Sequence, residues 1–100
     1  MLHNLTREIF AQHLNSKVRI KHGSLNAVEL ELITADEVKS SNPQQEQFSI
    51  VFRGANETPL GQGMYRMEHD QMGEFDIFLV PINRDQEGMY YEAFFNRQRQ

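Results

Sequence analysis

The 100-residue chain contains no cysteine. Disulfide staples, thiolate metal sites and a thiol nucleophile are therefore excluded. Long apolar runs are also missing: the longest, Ile77 to Ile82, is six residues, against the roughly 20 that a membrane-spanning helix requires. The N-terminus lacks the basic-then-apolar order of a secretion signal. A soluble, cytoplasmic protein with no membrane partner is expected. Positive charge is scarce as well, with five basic against six acidic residues in 1–50 and five against eight in 51–100, a net charge of −4. A surface that tracks phosphates needs the opposite balance, so nucleic acid is not expected as a partner.

What the chain does contain is alternation. Its length fits one domain with one core, read as residues 1–96 followed by a disordered tail at 97–100. Thr6 to Leu14, TREIFAQHL, spaces Leu5, Ile9, Phe10 and Leu14 as one helical stripe, with Thr6 as the N-cap. From Lys17 the period becomes two. Val18 and Ile20 alternate with Lys17, Arg19 and Lys21, and after a turn at His22 to Ser24, Val28, Leu30 and Leu32 alternate with Glu29 and Glu31. A cationic strand face beside an anionic one favours an antiparallel pair. Lys39 to Gln47 reads as a polar loop, Phe48 to Arg53 as a third strand and Ala55 to Gly63 as a second long connection. Met64 to His69 and Glu74 to Ile82 form a hairpin around Asp70 to Gly73, and Met89 to Phe95 follows the turn Asn83 to Gly88. The fold class is mainly β: a six-stranded antiparallel meander forming a small barrel or sandwich, with one short N-terminal α-helix.

The fifth strand is apolar on both faces, with Phe75, Ile77 and Leu79 on one and Phe78, Val80 and Ile82 on the other. Together with Val51, Met64 and Phe94 the second set makes an outer apolar patch. It is expected to be covered by the helix face of Ile9, Phe10 and Leu14, or else by a partner subunit. On this reading Phe78 is a core residue, and Phe78→Ala is expected to lose about 3–5 kcal/mol.

Glu68, His69, Asp70, Glu74 and Asp76 crowd one stretch, yet a metal needs ligands that converge on one point. In strands, Glu68 and His69 point to opposite faces, and the acids share an outer face with Arg66 as counter-charge. No metal and no cofactor is expected. His69 falls on the inward phase, where it caps the core, and no nucleophile stands near it in sequence. The serines lack a G-x-S-x-G context, and Gly61-Gln62-Gly63 precedes a strand, the wrong order for a phosphate cradle. The strand aromatics read as core, because base stacking needs a basic surface beside it. Arg53 and Glu68 lie on outer phases of consecutive strands and are expected to form a cross-strand ion pair.

The motifs F-S-x-x-F-R-G, P-L-x-Q-G-x-Y-x-x-E-H, G-E-x-x-x-F-L-V-P and Y-E-A-x-F-N between Phe48 and Asn96 resemble those of a bacterial family of small domains of unknown function. Arg53, Gln62, Tyr65, Glu68 and His69 occupy motif positions, and the resemblance implies no role for them. It implies a compact bacterial domain whose gene neighbours include tail-collar-like or tail-fibre-like proteins. The expected function is therefore a non-catalytic structural or protein-interaction domain, an accessory to a phage-tail-like assembly, that binds a protein partner or itself through Arg53, Arg66, Glu68, His69, Phe78 and Val80. The alternatives are a small-ligand-binding β-barrel and a hydrolase-type enzyme using His69.

Overall fold

The computed structural model describes residues 5–21, 28–38 and 43–98. The turn expected at His22 to Ser24, part of the loop from Lys39 and the last two residues of the expected tail lie outside the described residues. A helix, α1 (Arg7–Ala11), precedes six antiparallel strands: β1 (Lys17–Ile20), β2 (Val28–Glu37), β3 (Gln45–Gly54), β4 (Gly63–His69), β5 (Gly73–Asp85) and β6 (Gly88–Gln98). They close into a barrel in the order β1-β2-β3-β6-β5-β4. The inward residues expected from the alternation form its core: Val18, Ile20, Leu30, Leu32, Phe48, Ile50, Phe52, Met67, Leu79 and Tyr91 are each exposed by 1% or less.

The barrel consists of two three-stranded meanders joined along their edges. Strand β3 therefore pairs with β2 and β6, and β4 pairs with β1 and β5. A single meander would have put β3 beside β4. The connection at 55–62 is long enough to carry the chain past that position, and Leu60 fixes it in place. Leu60 is buried, and its N–H donates to the hydroxyl of the buried Tyr91 at 2.9 Å.

Two strands run further than their apolar patterns. Gln45, Glu46 and Gln47 were expected in a loop, but they pair with Gln98, Arg97 and Asn96 at the ends of β3 and β6. Strand β6 thus enters the expected tail by two residues. Strand β5 is interrupted between Pro81 and Asn83 by a register shift. A proline has no N–H to give the ladder, and a bulge tolerates that loss.

Thr6 caps α1 as expected, its hydroxyl accepting from the Ile9 N–H at 3.1 Å. Leu5 before the cap and Phe10 four positions after it are both buried, the placement of a hydrophobic staple. The helix does not cover the outside of the sheet. It lies against β2 and β3, and Phe10 inserts inward among Phe48, Phe75 and Phe95, with ring centroids 6.4, 6.0 and 5.8 Å away. Leu14 lies beyond the helix and is 40% exposed. The chain leaves α1 through Asn15, whose φ of 69° is a left-handed value that asparagine tolerates.

The β5–β6 turn depends on Gly88. Its φ is +152°, and a Cβ there would sit 2.3 Å from the Gly54 carbonyl oxygen. Asp85 Oδ1 accepts from the N–H groups of Glu87 and Gly88 and fixes this conformation. Gly88→Ala is expected to destabilise the domain by about 1–3 kcal/mol, read as a lower urea midpoint with an unchanged slope.

Candidate functional site

His69 ends β4 with its ring directed inward and is 5% exposed. Its Nδ1 accepts from two backbone N–H groups in the following turn, those of Gln71 and Met72, each at 3.0 Å. With that lone pair engaged, the ring proton must sit on Nε2. The Nε2–H then donates to Ser16 Oγ at 2.9 Å, and the Ser16 hydroxyl donates to the His13 carbonyl. Burial pushes the His69 pKa below its ordinary value, and the nearby His13 and Arg19 push it the same way against an opposing effect of Asp70. The His13 and His69 rings are 4.8 Å apart.

This geometry bears on catalysis. A serine hydroxyl within hydrogen-bond reach of a histidine is the pattern of a nucleophile and its base. Here the nitrogen facing Ser16 carries a proton and the other nitrogen is occupied by two donors, so neither can take the serine proton. The bonding describes a turn clamp. Outside it is an open cleft of roughly 400 Å³ lined by Ser16, Lys17, Arg19, Glu29, His69, Asp70 and Gln71, with Arg19 bonded to Asp70 at 2.7 Å. Ser16 and His13 were not singled out in the sequence as partners of His69. Ser16 is 53 positions away, and only barrel closure through β1 and β4 brings them together.

The charged candidates are held by their new neighbours. Arg53 pairs with Glu31 at 2.7 Å on β2 and Glu87 at 3.4 Å, and not with Glu68, because β3 and β4 are not adjacent. Glu68 pairs with Lys21 at 3.3 Å and Arg19 at 3.7 Å on the β1 side, and its carboxyl lies below the ordinary range chiefly through the hydrogen bond with Lys21. Arg66 is shared by Asp76 at 3.0 Å and Glu74 at 3.6 Å.

Phe78 and Val80 belong to a different surface. Met64 is 65% exposed, Phe78 45% and Phe94 53%, while Val80 is half-buried. Met64 stands opposite Phe78 in the β4–β5 ladder, and Val80 stands opposite Glu92, two residues from Phe94 on the same face of β6. These side chains form an apolar strip across β4, β5 and β6, on the outside of the barrel. Its acidic end carries Glu74 and Asp76, with Arg66 as the cation between them. The helix expected to cover the strip plugs the interior instead. Phe78 is consequently not a core residue, and Phe78→Ala is expected to lose only about 1 kcal/mol in a thermal melt, in place of the loss expected for a buried ring.

The architecture defines a class: a six-stranded antiparallel barrel around an apolar core, plugged by a short N-terminal helix, in which no described helix is long and apolar enough to cross a membrane. The family described as a domain of unknown function, DUF6916, matches residues 5–95, and the chain belongs to it. No curated protein and no solved structure matches the chain.

Proposed function

We propose that this protein is a non-catalytic protein-interaction domain that docks a partner through the outer strip of Met64, Phe78, Val80 and Phe94. The observation that carries this reading is the exposure of three large apolar side chains on one outer face, with the domain's own helix buried elsewhere. Contiguous apolar patches on a soluble domain commonly mark interaction sites. Large buried side chains such as Phe48, Phe52 and Tyr91 on the inward face support docking on the outside of the barrel over a ligand within it, and the two backbone N–H groups bonded to Nδ1 support a structural role for His69.

The partner is a second protein whose docking segment is apolar with basic flanks. Two carboxylates share one guanidinium at the acidic end of the strip, so a net negative charge is left to be answered. A second copy would bring the same excess charge against itself. A phage-tail-like assembly, the setting implied by the family resemblance, would supply such a partner.

A photo-crosslinking residue at position 78, compared with one at Glu57 on the exposed loop, tests the proposal. A discrete adduct is expected from position 78 alone, and it should be lost when Met64→Glu is added while the circular dichroism spectrum is retained. Adducts of equal yield from both positions, or none from position 78, would overturn the reading. An adduct with twice the mass of the chain would assign the strip to self-association.

A further inference from the structure

Among the described residues, strand β5 is the one strand that changes neighbours without overlap. Residues Gly73–Leu79 find their ladder partners on β4, and Val80–Asp85 find theirs on β6. Strand β2 makes the equivalent turn in the other meander differently. Its Leu30 and Glu31 pair on both sides at once, with Val18 and Lys17 of β1 and with Gly54 and Arg53 of β3. The β2 corner is thereby closed by doubly paired residues, whereas the β5 corner has none among the described residues.

Two backbone edges result. The side of Gly73–Leu79 away from β4 has no ladder partner among the described residues, and neither has the side of Ala93–Gln98 away from β3. The helix backbone lies against β2 and β3, and only its Phe10 ring reaches this corner, packing from the interior on Phe75 of β5 and Phe95 of β6. Every second residue of an edge presents an N–H and a C=O that only another extended backbone pairs in series. Phe78 on β5 and Phe94 on β6 flank the corner from outside.

We infer that the free edge of β5 at Gly73–Leu79 is a strand-addition site, which takes an extended segment of the partner beside Glu74, Asp76 and Phe78. The inference rests on the docking face proposed above and specifies how that face is engaged. Cross-strand neighbours set the chemistry of the guest. The residue opposite Phe78 is apolar, and those opposite Asp76 and Glu74 are lysine or arginine. The same two acids disfavour the β5 edge of a second copy, since antiparallel self-pairing centred on Glu74 to Asp76 would set carboxylates beside carboxylates. This charge is what separates a guest strand from the edge-to-edge aggregation that an unguarded edge invites.

The test uses two synthetic peptides, each with valine at alternate positions. One carries lysine, lysine and leucine between the valines, and the other carries glutamate, glutamate and leucine. With the lysine peptide, amide hydrogen exchange at Glu74, Asp76 and Phe78 or at their alternate neighbours should slow by about tenfold, and with the glutamate peptide it should not change. In the double variant Glu74→Lys, Asp76→Lys the preference should reverse. Both positions are more than half exposed, so the fold is expected to survive. Equal protection by both peptides, protection confined to β6, or none at all would overturn strand addition. If the peptides fail while the crosslink at position 78 holds, the docking face stands and the inference falls. If the crosslink fails as well, both fall.

Discussion

Phe10→Ala is expected to lower stability by about 3–5 kcal/mol, the largest effect of any single truncation in the helix. Its ring is fully buried and contacts Phe48, Phe75 and Phe95, with Phe75 edge-on at 84°. Phe48 and Phe95 are themselves stacked at 4.6 Å. Truncation leaves a cavity bordered by β3, β5 and β6, whose walls are held by the β3–β6 and β4–β5 ladders at Phe48, Phe95 and Phe75. A second loss adds to the first. A helix as short as Arg7–Ala11 has no stability of its own and is held by what it packs, so the variant is expected to release α1 as well. Urea denaturation measures the total, and hydrogen exchange at Phe10 and Gln12 reports the helix. Leu14→Ala, at an exposed site, should leave the midpoint nearly unchanged. Equal tolerance of the two substitutions would show that the plug does not hold the barrel end. For a domain whose whole stability is expected to be roughly 5–15 kcal/mol, the predicted loss is a large fraction.

The second large effect is at His69. Alanine there removes the acceptor of two backbone N–H groups and the donor to Ser16, and unsatisfied buried groups together should cost roughly 2–4 kcal/mol. Asparagine is the informative replacement, because its side-chain oxygen falls near the position of Nδ1 and can keep the turn bonds. His69→Asn should therefore recover a good part of the loss. The pH dependence follows from the direction of the shift. The folded-state pKa lies below the ordinary value of 6.5, so the unfolded chain takes up a proton first as pH falls. This contribution is complete above pH 6.5. It declines as pH drops from there toward the folded-state pKa, below which His69 adds no further loss. The groups that face the ring are His13, Ser16, Arg19 and Asp70. Thermal midpoints collected from neutral to mildly acidic pH should fall for the natural protein, and His69→Asn should lack that component. Parallel curves for the two proteins would show that some other group carries the dependence.

Much of this molecule is legible in its residue order. Val18 and Ile20, Phe48, Ile50 and Phe52, and Phe75, Ile77 and Leu79 announce strands and their inward faces by alternation alone, and Thr6 announces the helix start. Strand order is different in kind. Alternation says which way a side chain points but not which strand lies beside it, and Arg53 has the same outward phase whether its neighbour is Glu31 or Glu68. The polar ends of β3 and β6 are illegible for a related reason: Gln45 and Gln98 are paired backbone to backbone, which side-chain alternation does not signal. The apolar stripe in the sequence runs on to Leu14, whereas the helix ends at Ala11 with Phe10 its one fully buried residue, so the stripe does not reveal which way the helix faces. The His69 clamp was half legible. Its inward phase and position at a strand end follow from sequence, but its partners come from a segment that only the closed barrel delivers.

The arrangement as two meanders also has a mechanical meaning. Each half, β1 to β3 and β4 to β6, is an open shell with its apolar face bare, and neither half has an interior until it meets the other. The halves are held together along ten residue pairs between β3 and β6, while the covalent link between them crosses exposed positions such as Glu57, Gly61 and Gln62. In effect the protein is an intramolecular dimer of two half-shells, in which the connecting peptide supplies local concentration and the β3–β6 seam supplies the specificity of assembly.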